Sequence, residues 1–561
     1  MKAGADFDPI ELEIFWSRLL SVVDEAAVAL LRTAFSTVVR ESNDFTVVLM
    51  DADGDSIADT NIGTPSFVGI LPKTLRQCLA QIPIEDWQEG DCIVTNDPWM
   101  TAGHLLDLAM LAPIFRHGRL IGFSGSMAHL PDIGGALFSA DCREVIEEGI
   151  RIPPTKFLRR GEENHDLASL IRANVRVPEQ VIGDFYAQVA AHAVCARKIS
   201  DFFEVSGLED LTAISAALQH RADRAMRAAI DDLPDGTYRS VLIADGYDGE
   251  ETRIACAVKV TGSELHVDYA GSSKQIARGL NSVMNFTYAL SVYPLKCALD
   301  PTTPRNEGSY RSIIVTAPEG SILNPIYPAA CNARQLTGHL LAGAIYKCLA
   351  QVIPDKVIAE SGTAPTLRSV FSGNDRFGNR FSQVLFGSGG MGASARSDGH
   401  SCTPFPTNTG CGSIEAFEVA APLIVWRKEL IADSGGAGQY RGGLGQEIEV
   451  EVVANGDIQL SLMADRQKNP PEGLMGGRRG AAVSIRRQDG SEPHPKSRSV
   501  LSPGQRLILR YAGAGGFGDP SKRAHDEMLR DLKDGYVTIA GLERDYGVRL
   551  EEIAGESAVR R

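Results

Sequence analysis

Paired cysteines, long apolar runs and an excess of positive charge are absent from this sequence of 561 residues. The ten cysteines are scattered singly and none forms a Cys-x-x-Cys pair, which argues against a zinc ribbon or a redox dithiol and favours a reducing compartment. No apolar run approaches the length that spans a bilayer. Because 56 basic residues stand against 71 acidic ones, the net charge of −15 argues against a nucleic-acid or anionic-membrane surface.

Secretion and nucleotide-binding signals are also missing from the sequence. The first nine residues lack the apolar core of a signal peptide, and we therefore expect a cytoplasmic protein. No Walker lysine motif occurs, and the glycine clusters between residues 387 and 518 do not follow the strand-then-helix order of a dinucleotide fold. We interpret these glycines as tight turns and close backbone packing, with phosphate cradling as the alternative.

The length exceeds that of one ordinary hydrophobic core, so several subdomains are expected. The patterns predict an α+β fold with an N-terminal helix, a hairpin-containing metal-site region and a β-rich, glycine-dense C-terminal half. We divide it into an N-terminal α+β region that carries the metal site (1–235), a central α/β region (236–385), a β-rich glycine-dense region (386–520) and a C-terminal helical tail (521–561).

Apolar periodicity predicts where most of the helices and strands lie. Asp8 and Pro9 form a helix start, and apolar residues follow at helical spacing until the helix ends before Asp44. A strand is predicted over 45–50. Further helical patterns occupy 73–83, 164–204 with an interruption at Pro178, 208–232, 333–353, 521–533 and a final stretch after Ala540. Strand patterns occupy 236–268 and 448–510.

Four polar side chains in the first quarter of the chain are candidate metal ligands. They are Asp44, His104, Asp107 and His129. Two imidazoles and two carboxylates can form the first coordination sphere of a divalent cation. The residues alone leave one alternative open, which is a polar cluster whose hydrogen bonds are satisfied internally.

A predicted β-hairpin brings two of these candidates together. Two apolar, strand-like runs, 107–115 and 120–128, flank a short polar link that contains Gly118. His117 is interpreted as a turn residue and not as a ligand. Pro113 is unusual inside a strand and suggests an edge or a bulge.

The register of this hairpin decides how the candidates face each other. With a two-residue loop, Asp107 falls opposite Ala128, so that Asp107 and His129 are neighbours across the ladder. A one-residue bulge would put Asp107 and His129 directly opposite each other. The sequence leaves both registers open. His104 is placed in the glycine-containing loop that enters the strand, because residues three apart in a strand point to opposite faces.

Ordered motifs that run through nearly the whole chain match a known family. They are Glu41-x-x-Asp44-Phe45, Asn96-Asp97-Pro98, His104-x-x-Asp107, His129-x-x-Asp132-x-Gly134-Gly135, Glu148-Gly149-x-x-x-Pro153-Pro154, Asn174-x-Arg176-x-Pro178, Gly183-Asp184-x-x-Ala187-Gln188, Asp268-Tyr269-x-Gly271-Ser272-Ser273-x-Gln275, Asn324-Pro325, Asp433-Ser434-Gly435-Gly436-x-Gly438-x-x-Arg441-Gly442-Gly443-x-Gly445, Gly513-x-Gly515-Gly516-Phe517-Gly518-Asp519-Pro520 and Tyr546-Gly547-Val548. With these motifs the chain resembles the B subunit of the hydantoinase/oxoprolinase family, which includes N-methylhydantoinase B and the related chains of caprolactamase, acetone carboxylase and acetophenone carboxylase.

The resemblance implies a complex and a metal. The partner would be an A-type ATPase subunit with an actin-like fold, which binds ATP and Mg²⁺ and phosphorylates the substrate or bicarbonate. A hetero-oligomer with two copies of each subunit would follow the family. The B-type chain would hold a divalent metal, manganese or zinc, with iron also suited to the donors. Carried over position by position, the ligands are Asp44, His104, Asp107 and His129.

Two reactions are consistent with this resemblance, and a third role is the alternative. In the first, the partner phosphorylates a cyclic amide of the hydantoin, lactam or 5-oxoproline type, and an activated water opens the ring. In the second, the complex carboxylates a metal-stabilised enolate of a ketone. Departures from the hydantoinase pattern at Ser66, at 99–104 and at Leu130 keep the second reaction open. The third role is a scaffold subunit with a structural metal.

Asp132 and Glu148 are the predicted catalytic residues beside the metal. Asp132 would orient His129 or act as a base, and its alternative role is that of a turn residue. Glu148 lies before a Pro-Pro turn, and its alternative is a role at a helix end. Cys331 is interpreted as a small buried thiol and not as a nucleophile. Ser126 lies in a broken Gly-x-Ser-x-Gly pattern inside the predicted hairpin, so no nucleophile elbow is expected.

Overall fold

The computed structural model describes residues 7–552 of the chain. Its α-helices are α1 Pro9–Thr33, α2 Thr37–Arg40, α3 Leu71–Leu79, α4 His165–Asn174, α5 Pro178–Ser206, α6 Thr212–Asp231, α7 Met284–Leu299, α8 Gln335–Gly338, α9 Leu340–Leu349, α10 Ile414–Ala420, α11 His525–Lys533 and α12 Ile539–Gly541. A π-helical turn, Leu542–Tyr546, follows α12. The last part of the predicted C-terminal tail, residues 553–561, lies outside the described residues.

Strands account for most of the remaining regular structure. They are β1 Phe45–Asp51, β2 Ser56–Asp59, β3 Cys92–Thr95, β4 Asp107–Arg116, β5 Arg119–His129, β6 Thr155–Arg159, β7 Glu162–Glu163, β8 Gly236–Tyr247, β9 Glu250–Thr261, β10 Glu264–Asp268, β11 Ile313–Thr316, β12 Arg368–Asn374, β13 Arg380–Phe386, β14 Leu423–Leu430, β15 Gln446–Val452, β16 Ile458–Met463, β17 Ser484–Arg487, β18 Arg498–Leu501 and β19 Arg506–Arg510. The predicted α+β fold is confirmed.

Helix α1 begins where its sequence signals predict. The Asp8 carboxylate accepts hydrogen bonds from the backbone N–H groups of Ile10 and Glu11, and Pro9 occupies the first helical position. The helix ends at Thr33, well before Asp44. It packs along α5, so that the apolar stripe of α1 closes one hydrophobic core over the N-terminal sheet.

The N-terminal sheet contains seven strands in the order β2-β1-β5-β4-β3-β6-β7. Strands β4 and β5 form the predicted hairpin, whose turn has positive φ angles at His117 and Gly118. A bulge between Ile114 and Phe115 shifts the register, and Asp107 therefore lies directly opposite His129. The bulged register is thus the correct one of the two that the sequence allowed.

Three four-stranded sheets make up the rest of the β structure. Their strand orders are β11-β10-β9-β8, β13-β12-β16-β18 and β14-β15-β19-β17. The pair β10–β11 is parallel, and the other strand pairs are antiparallel. Strand β12 pairs with β13 on one side and with β16, from beyond residue 450, on the other, so residues 385 and 386 lie inside the second of these sheets.

The dense glycines support close contact between backbone segments. A Cβ atom added to Gly442 would collide with the carbonyl group of Ala514, and one added to Gly390 would collide with the carbonyl group of Gly443. Each of these contacts joins a glycine cluster to a segment that is distant in sequence. The interpretation of the clusters as close backbone packing is therefore confirmed.

Helix α7 is the main element that periodicity did not predict. It is buried on nearly all sides and contains Pro294, so neither an amphipathic pattern nor the absence of proline marks it in the sequence. The helical pattern over 333–353 forms two helices that meet at His339. Among residues 7–552, no helix combines the length and apolarity needed to cross a membrane. All ten cysteines are free thiols.

Candidate metal centre

Three of the predicted ligands meet in one buried cluster. One ligand atom each from His104, Asp107 and His129 lies within 4.8 Å of the other two. Asp107 is the first residue of β4 and His129 the last residue of β5, so the hairpin register sets their separation. His104 lies in the loop that enters β4, as predicted, where Gly103 has a φ angle of 98° that favours glycine.

The hydrogen bonds of His104 select one tautomer of its ring. Its Nδ1 lies 3.0 Å from the carbonyl oxygen of Asn332, so Nδ1 carries a proton and donates it. Its Nε2 lies 2.9 Å from Oδ1 of Asp107. Burial, together with the Arg334 guanidinium, lowers the pKa of His104, and the neutral ring therefore presents a lone pair at Nε2. Two lone-pair atoms this close repel each other unless a proton or a cation lies between them.

Asp107 is ionised because of its ion pair with Arg334. Burial opposes ionisation, but the guanidinium of Arg334 is the largest opposing cause, and the pKa of Asp107 is lowered to about 2. Arg334 forms an ion pair with Oδ2 of Asp107 and donates a second hydrogen bond to the carbonyl of Ala102. This leaves Oδ1 directed toward His104 as the oxygen that can bind a cation.

His129 completes the cluster with an unused ring nitrogen. Its buried Nδ1 has no hydrogen-bond partner among the described residues. Burial and the neighbouring His104 lower the pKa of His129 to about 3, so the ring is neutral at pH 7. The ring centroids of His104 and His129 lie 5.0 Å apart, and the ring centroid of Phe138 lies 5.4 Å from each of them. An unpartnered buried nitrogen is costly unless a ligand uses it.

These observations fit a divalent cation. Two neutral imidazoles and one ionised carboxylate are already in the protonation states that metal binding requires. The mixed nitrogen and oxygen donors suit zinc, manganese or iron. Three protein ligands leave at least one coordination position open, which is the usual arrangement in catalytic zinc sites.

Asp44, the fourth predicted ligand, lies beside the cluster but outside this set of ligand atoms. It is half-buried just before β1, and its carbonyl accepts the backbone N–H of His129 at 3.0 Å. Its side chain lines the same cavity as the two histidines. Loss of hydration there, and the nearby Asp107 carboxylate, raise the pKa of Asp44 to about 7. Asp44 is therefore the candidate ligand whose charge depends most on a bound cation.

Two cavities flank the cluster, and His129 and Phe138 line both of them. One is lined by Asp132 and Glu148. The other is lined by Asp44 and two buried arginines. The cluster therefore separates an acidic space from a basic one.

Glu148 supports the loop that orients His104. Its Oε1 accepts the backbone N–H groups of Cys331 at 2.6 Å and Asn332 at 2.8 Å, while its buried Oε2 has no partner among the described residues. Burial raises the pKa of Glu148 to about 8, against the two backbone hydrogen bonds. Glu148 is thus a protonated carboxyl at pH 7 with a free oxygen in the cavity beside His129.

Asp132 is held by a different partner. Its carboxylate accepts hydrogen bonds from Nη1 of Arg176 at 2.6 Å, from the backbone of Arg176 and from the N–H of Gly134. It lines the same cavity as His129, but these contacts are those of a residue that stabilises a turn.

The remaining residues discussed from the sequence have structural surroundings. His117 is exposed in the hairpin turn. Cys331 is fully buried, which raises the pKa of its thiol. Ser126 contacts Gln188 at 2.8 Å and His192 at 3.1 Å in a buried polar network below the sheet.

Sequence reasoning missed the residues that line the basic cavity. They are Arg334 just before α8, His339 at the junction of α8 and α9, and Arg368 at the start of β12. They are more than 200 residues away from the hairpin in the sequence. The one local signal was Arg334 itself, a charged residue at the start of a strongly apolar helical segment, where charge is rarely buried without a partner.

Comparison with known proteins places this architecture in a family. The family model described as "Hydantoinase B/oxoprolinase" matches residues 8–520. The caprolactamase subunit beta of Pseudomonas jessenii is 31% identical over 97% of this chain and 96% of its own length.

Solved structures show the same likeness in three dimensions. The crystal structure of ATP-dependent caprolactamase from Pseudomonas jessenii superposes with a TM-score of 0.91, at 29% identity and with 97% of each chain covered. A nucleotide-free structure of acetone carboxylase superposes with a TM-score of 0.88 over 99% of this chain and 83% of that chain. At 20% identity, the second likeness shows a shared fold only. From the family match and the caprolactamase relative it follows that this chain belongs to the hydantoinase B/oxoprolinase family.

Proposed function

We propose that this chain is the metal-binding subunit of an ATP-dependent complex that opens a cyclic amide ring by hydrolysis. The substrate class is a hydantoin, a lactam or a 5-oxoproline-type ring. The observation that carries the proposal is the buried cluster of His104, Asp107 and His129, whose ligand atoms lie close together and in which Nδ1 of His129 has no hydrogen-bond partner among the described residues. Membership of the hydantoinase B/oxoprolinase family and the caprolactamase relative support the choice of reaction.

The proposed metal is manganese or zinc, with iron as a further option. His104, Asp107 and His129 would hold it, and Asp44 would join them as the fourth ligand. A bound divalent cation would supply Lewis-acid chemistry, since it polarises an amide oxygen and lowers the pKa of water. Arg334 keeps Asp107 ionised for this purpose, and the Asn332 carbonyl holds His104 in the tautomer that presents Nε2.

Glu148 and Asp132 are proposed to act beside the metal in different ways. Glu148 keeps a proton at pH 7 and lines the cavity next to His129, so it is placed to donate a hydrogen bond or a proton to a substrate atom there. Asp132 is ion-paired with Arg176 and would fix the loop that closes this cavity. Its role as a base is the less favoured proposal, because Arg176 already uses its oxygens.

ATP chemistry is proposed to reside in a partner subunit. The caprolactamase relative is named as one subunit, and the solved caprolactamase structure is that of an ATP-dependent enzyme. The partner would be an A-type ATPase that binds ATP and Mg²⁺ and phosphorylates the amide oxygen, in a cytoplasmic hetero-oligomer with two copies of each subunit. This chain alone would then be nearly inactive.

The test is reconstitution of the complex. The chain is co-expressed with its A-type partner, and ring opening is measured together with phosphate release for hydantoins, lactams and 5-oxoproline. Ring opening that requires both subunits and ATP supports the proposal. Consumption of bicarbonate with a ketone would instead identify a carboxylase, the reaction suggested by the shared fold with acetone carboxylase. No turnover, together with unfolding when the metal is removed, would identify a scaffold subunit.

A further inference from the structure

The basic cavity beside the metal cluster contains more positive charge than its surroundings neutralise. It is lined by two arginines, by three histidines, by one carboxylate and by several hydroxyl groups. One of the arginines, Arg334, is already paired with Asp107. The other, Arg368, is the subject of the inference.

Arg368 is a buried cation without an anionic partner. It is 6% exposed at the start of β12, and its guanidinium packs over the Phe386 ring at 4.2 Å. Its Nη2 donates a hydrogen bond to Oγ1 of Thr409 at 3.3 Å. Among residues 7–552, no carboxylate oxygen lies within the 4.0 Å of an ion pair from it.

The other buried arginines of the described chain differ from Arg368 in this respect. Each has a carboxylate partner, in the pairs Arg334–Asp107, Arg441–Asp531, Arg466–Glu360 and Arg523–Asp531. A buried charge is costly to desolvate unless it is paired. Asp44 lines the same cavity, but it lies beyond ion-pair distance and is the candidate fourth metal ligand. Arg368 is therefore arranged for an anion that comes from outside the chain.

Further polar side chains line the same space. His339, a residue 3% exposed, belongs to the cavity wall, and its buried Nδ1 has no partner among the described residues. The hydroxyl of Thr407 donates to the carbonyl of Pro404 at 3.2 Å and is linked to that of Thr409 at 2.9 Å, and Ser66 adds another hydroxyl to the lining. A guanidinium with an imidazole and hydroxyl groups around it is the donor set that oxyanions bind.

We infer that this cavity, lined by Arg368, His339, Ser66, Thr407 and Thr409, is an oxyanion pocket. It binds a phosphate or carboxylate group next to the metal cluster. The inference rests on the proposed function, in which the substrate reaches the metal with a phosphoryl group attached, and that group is one source of the anion. A carboxylate of the substrate is the other source. No bond forms or breaks in the pocket, because its role is to position the substrate.

The experiment measures anion binding and not turnover. The full metal-loaded chain is titrated calorimetrically with inorganic phosphate and, separately, with acetate at constant ionic strength. Arg368→Gln removes the charge and should weaken binding of the preferred anion by about 10- to 100-fold, as expected for one charge-assisted contact. Arg368→Lys keeps the charge but lacks the planar guanidinium, so its affinity for the anion should lie between those of wild type and Arg368→Gln. Arg396→Gln, on an exposed arginine far from the pocket, is the matched control and should bind as the wild type does.

The two anions distinguish the source, and metal content separates this inference from the proposed function. Phosphate preferred over acetate points to the phosphoryl group, and the reverse points to a substrate carboxylate. If Arg368→Gln does not fold, Thr409→Val is the test variant in its place, and it should weaken anion binding about threefold. The pocket would be refuted if folded Arg368 or Thr409 variants bound the anion as tightly as wild type, or if the metal-loaded wild type bound no anion. Neither result would contradict the proposed metal site. Arg368-dependent binding by a chain that takes up no metal would refute the proposed function alone.

Discussion

The two sides of the candidate metal centre are built in different ways. The hairpin side, consisting of His104, Asp107 and His129, comes from one β-hairpin and the loop before it. The arginine side, consisting of Arg334, His339 and Arg368, comes from two helices and a strand far along the chain. The hairpin side supplies lone pairs, and the arginine side supplies positive charge and hydrogen-bond donors.

The two sides therefore have different roles in the site. Ligands that must meet within a few ångströms are set by the local register of a hairpin, which a single bulge adjusts. Groups that recognise a substrate are placed on other elements packed against that hairpin, so they can vary without disturbing the ligands. Arg334 is the link, because it lies on the arginine side and fixes the charge of Asp107 on the hairpin side.

The largest expected effect comes from removing the metal that the hairpin side would hold. Chelation should reduce ring opening by the reconstituted complex about 1,000-fold or more, because the charge stabilisation from a metal is worth several kcal/mol and each 1.4 kcal/mol is tenfold. The Tm of the chain should fall by only a few degrees, since the hairpin is part of a seven-stranded sheet. Asp107→Asn should lower ring opening to a similar extent without a chelator, but it also leaves the buried Arg334 without its ion-pair partner and should lower the Tm further. Global unfolding on chelation would show that the metal is structural.

Breaking the link between the two sides should have the next largest effect. Arg334→Ala leaves Asp107 buried without its ion-pair partner, and the free energy of unfolding should fall by about 3–5 kcal/mol. Arg396→Ala, which removes an exposed pair with Asp355, should change the Tm very little. Thermal and denaturant unfolding of both variants checks this. Equal losses for the buried and the exposed pair would contradict the account.

The acidic cavity can be tested by replacing Glu148 in two ways. Glu148→Ala removes the acceptor for the Cys331 and Asn332 N–H groups and should weaken metal binding about tenfold through His104. Glu148→Gln should bind metal like the wild type at pH 7, because the amide resembles a protonated carboxyl.

The protonation state of Glu148 can be tested through the pH dependence of stability. Its pKa is raised from 4.5 to about 8 in the folded chain, so the folded state holds more protons between these values, and the stability contributed by Glu148 falls as the pH rises through them. The Tm of Glu148→Gln relative to wild type should therefore rise between pH 5 and pH 8. A constant difference across this range would contradict a protonated Glu148.

The last prediction lies outside the site, at the buried His192. Its Nδ1 contacts Ser124 at 2.8 Å, and burial lowers its pKa from 6.5 to about 3. The unfolded chain takes up a proton between these values and the folded chain does not, so wild type loses up to about 1.4 kcal/mol per pH unit below pH 6.5. The stability advantage of wild type over His192→Gln should shrink between pH 6.5 and 4.5. A stability difference between wild type and His192→Gln that increases as the pH falls would show that His192 is charged in the folded chain.

The hairpin side could be predicted from sequence because its signals are local. Two apolar runs, a glycine turn and polar residues at their ends define the hairpin, and the bulge was one of two stated registers. The first helix was predicted for the same reason, since Asp8 and Pro9 mark its start.

The arginine side could not be predicted, because only long-range packing assembles it. Nothing near Arg368 in the sequence indicates that β12 pairs with β16 or that Thr409 reaches its guanidinium. Helix α7 escaped prediction for a related reason, since a helix buried on all sides has no amphipathic pattern. The role of Asp44 as a metal ligand and the domain borders stay predictions.

Metal analysis of the purified full chain tests the central claim most directly. Wild type is compared with His104→Ala and with Asp91→Asn, a matched control whose buried carboxylate pairs with Lys156 away from the cluster. The account predicts about one zinc, manganese or iron per chain in wild type and in Asp91→Asn, and none in His104→Ala. Equal metal content in all three, or a metal-free wild type of normal stability, would contradict a metal centre at this hairpin.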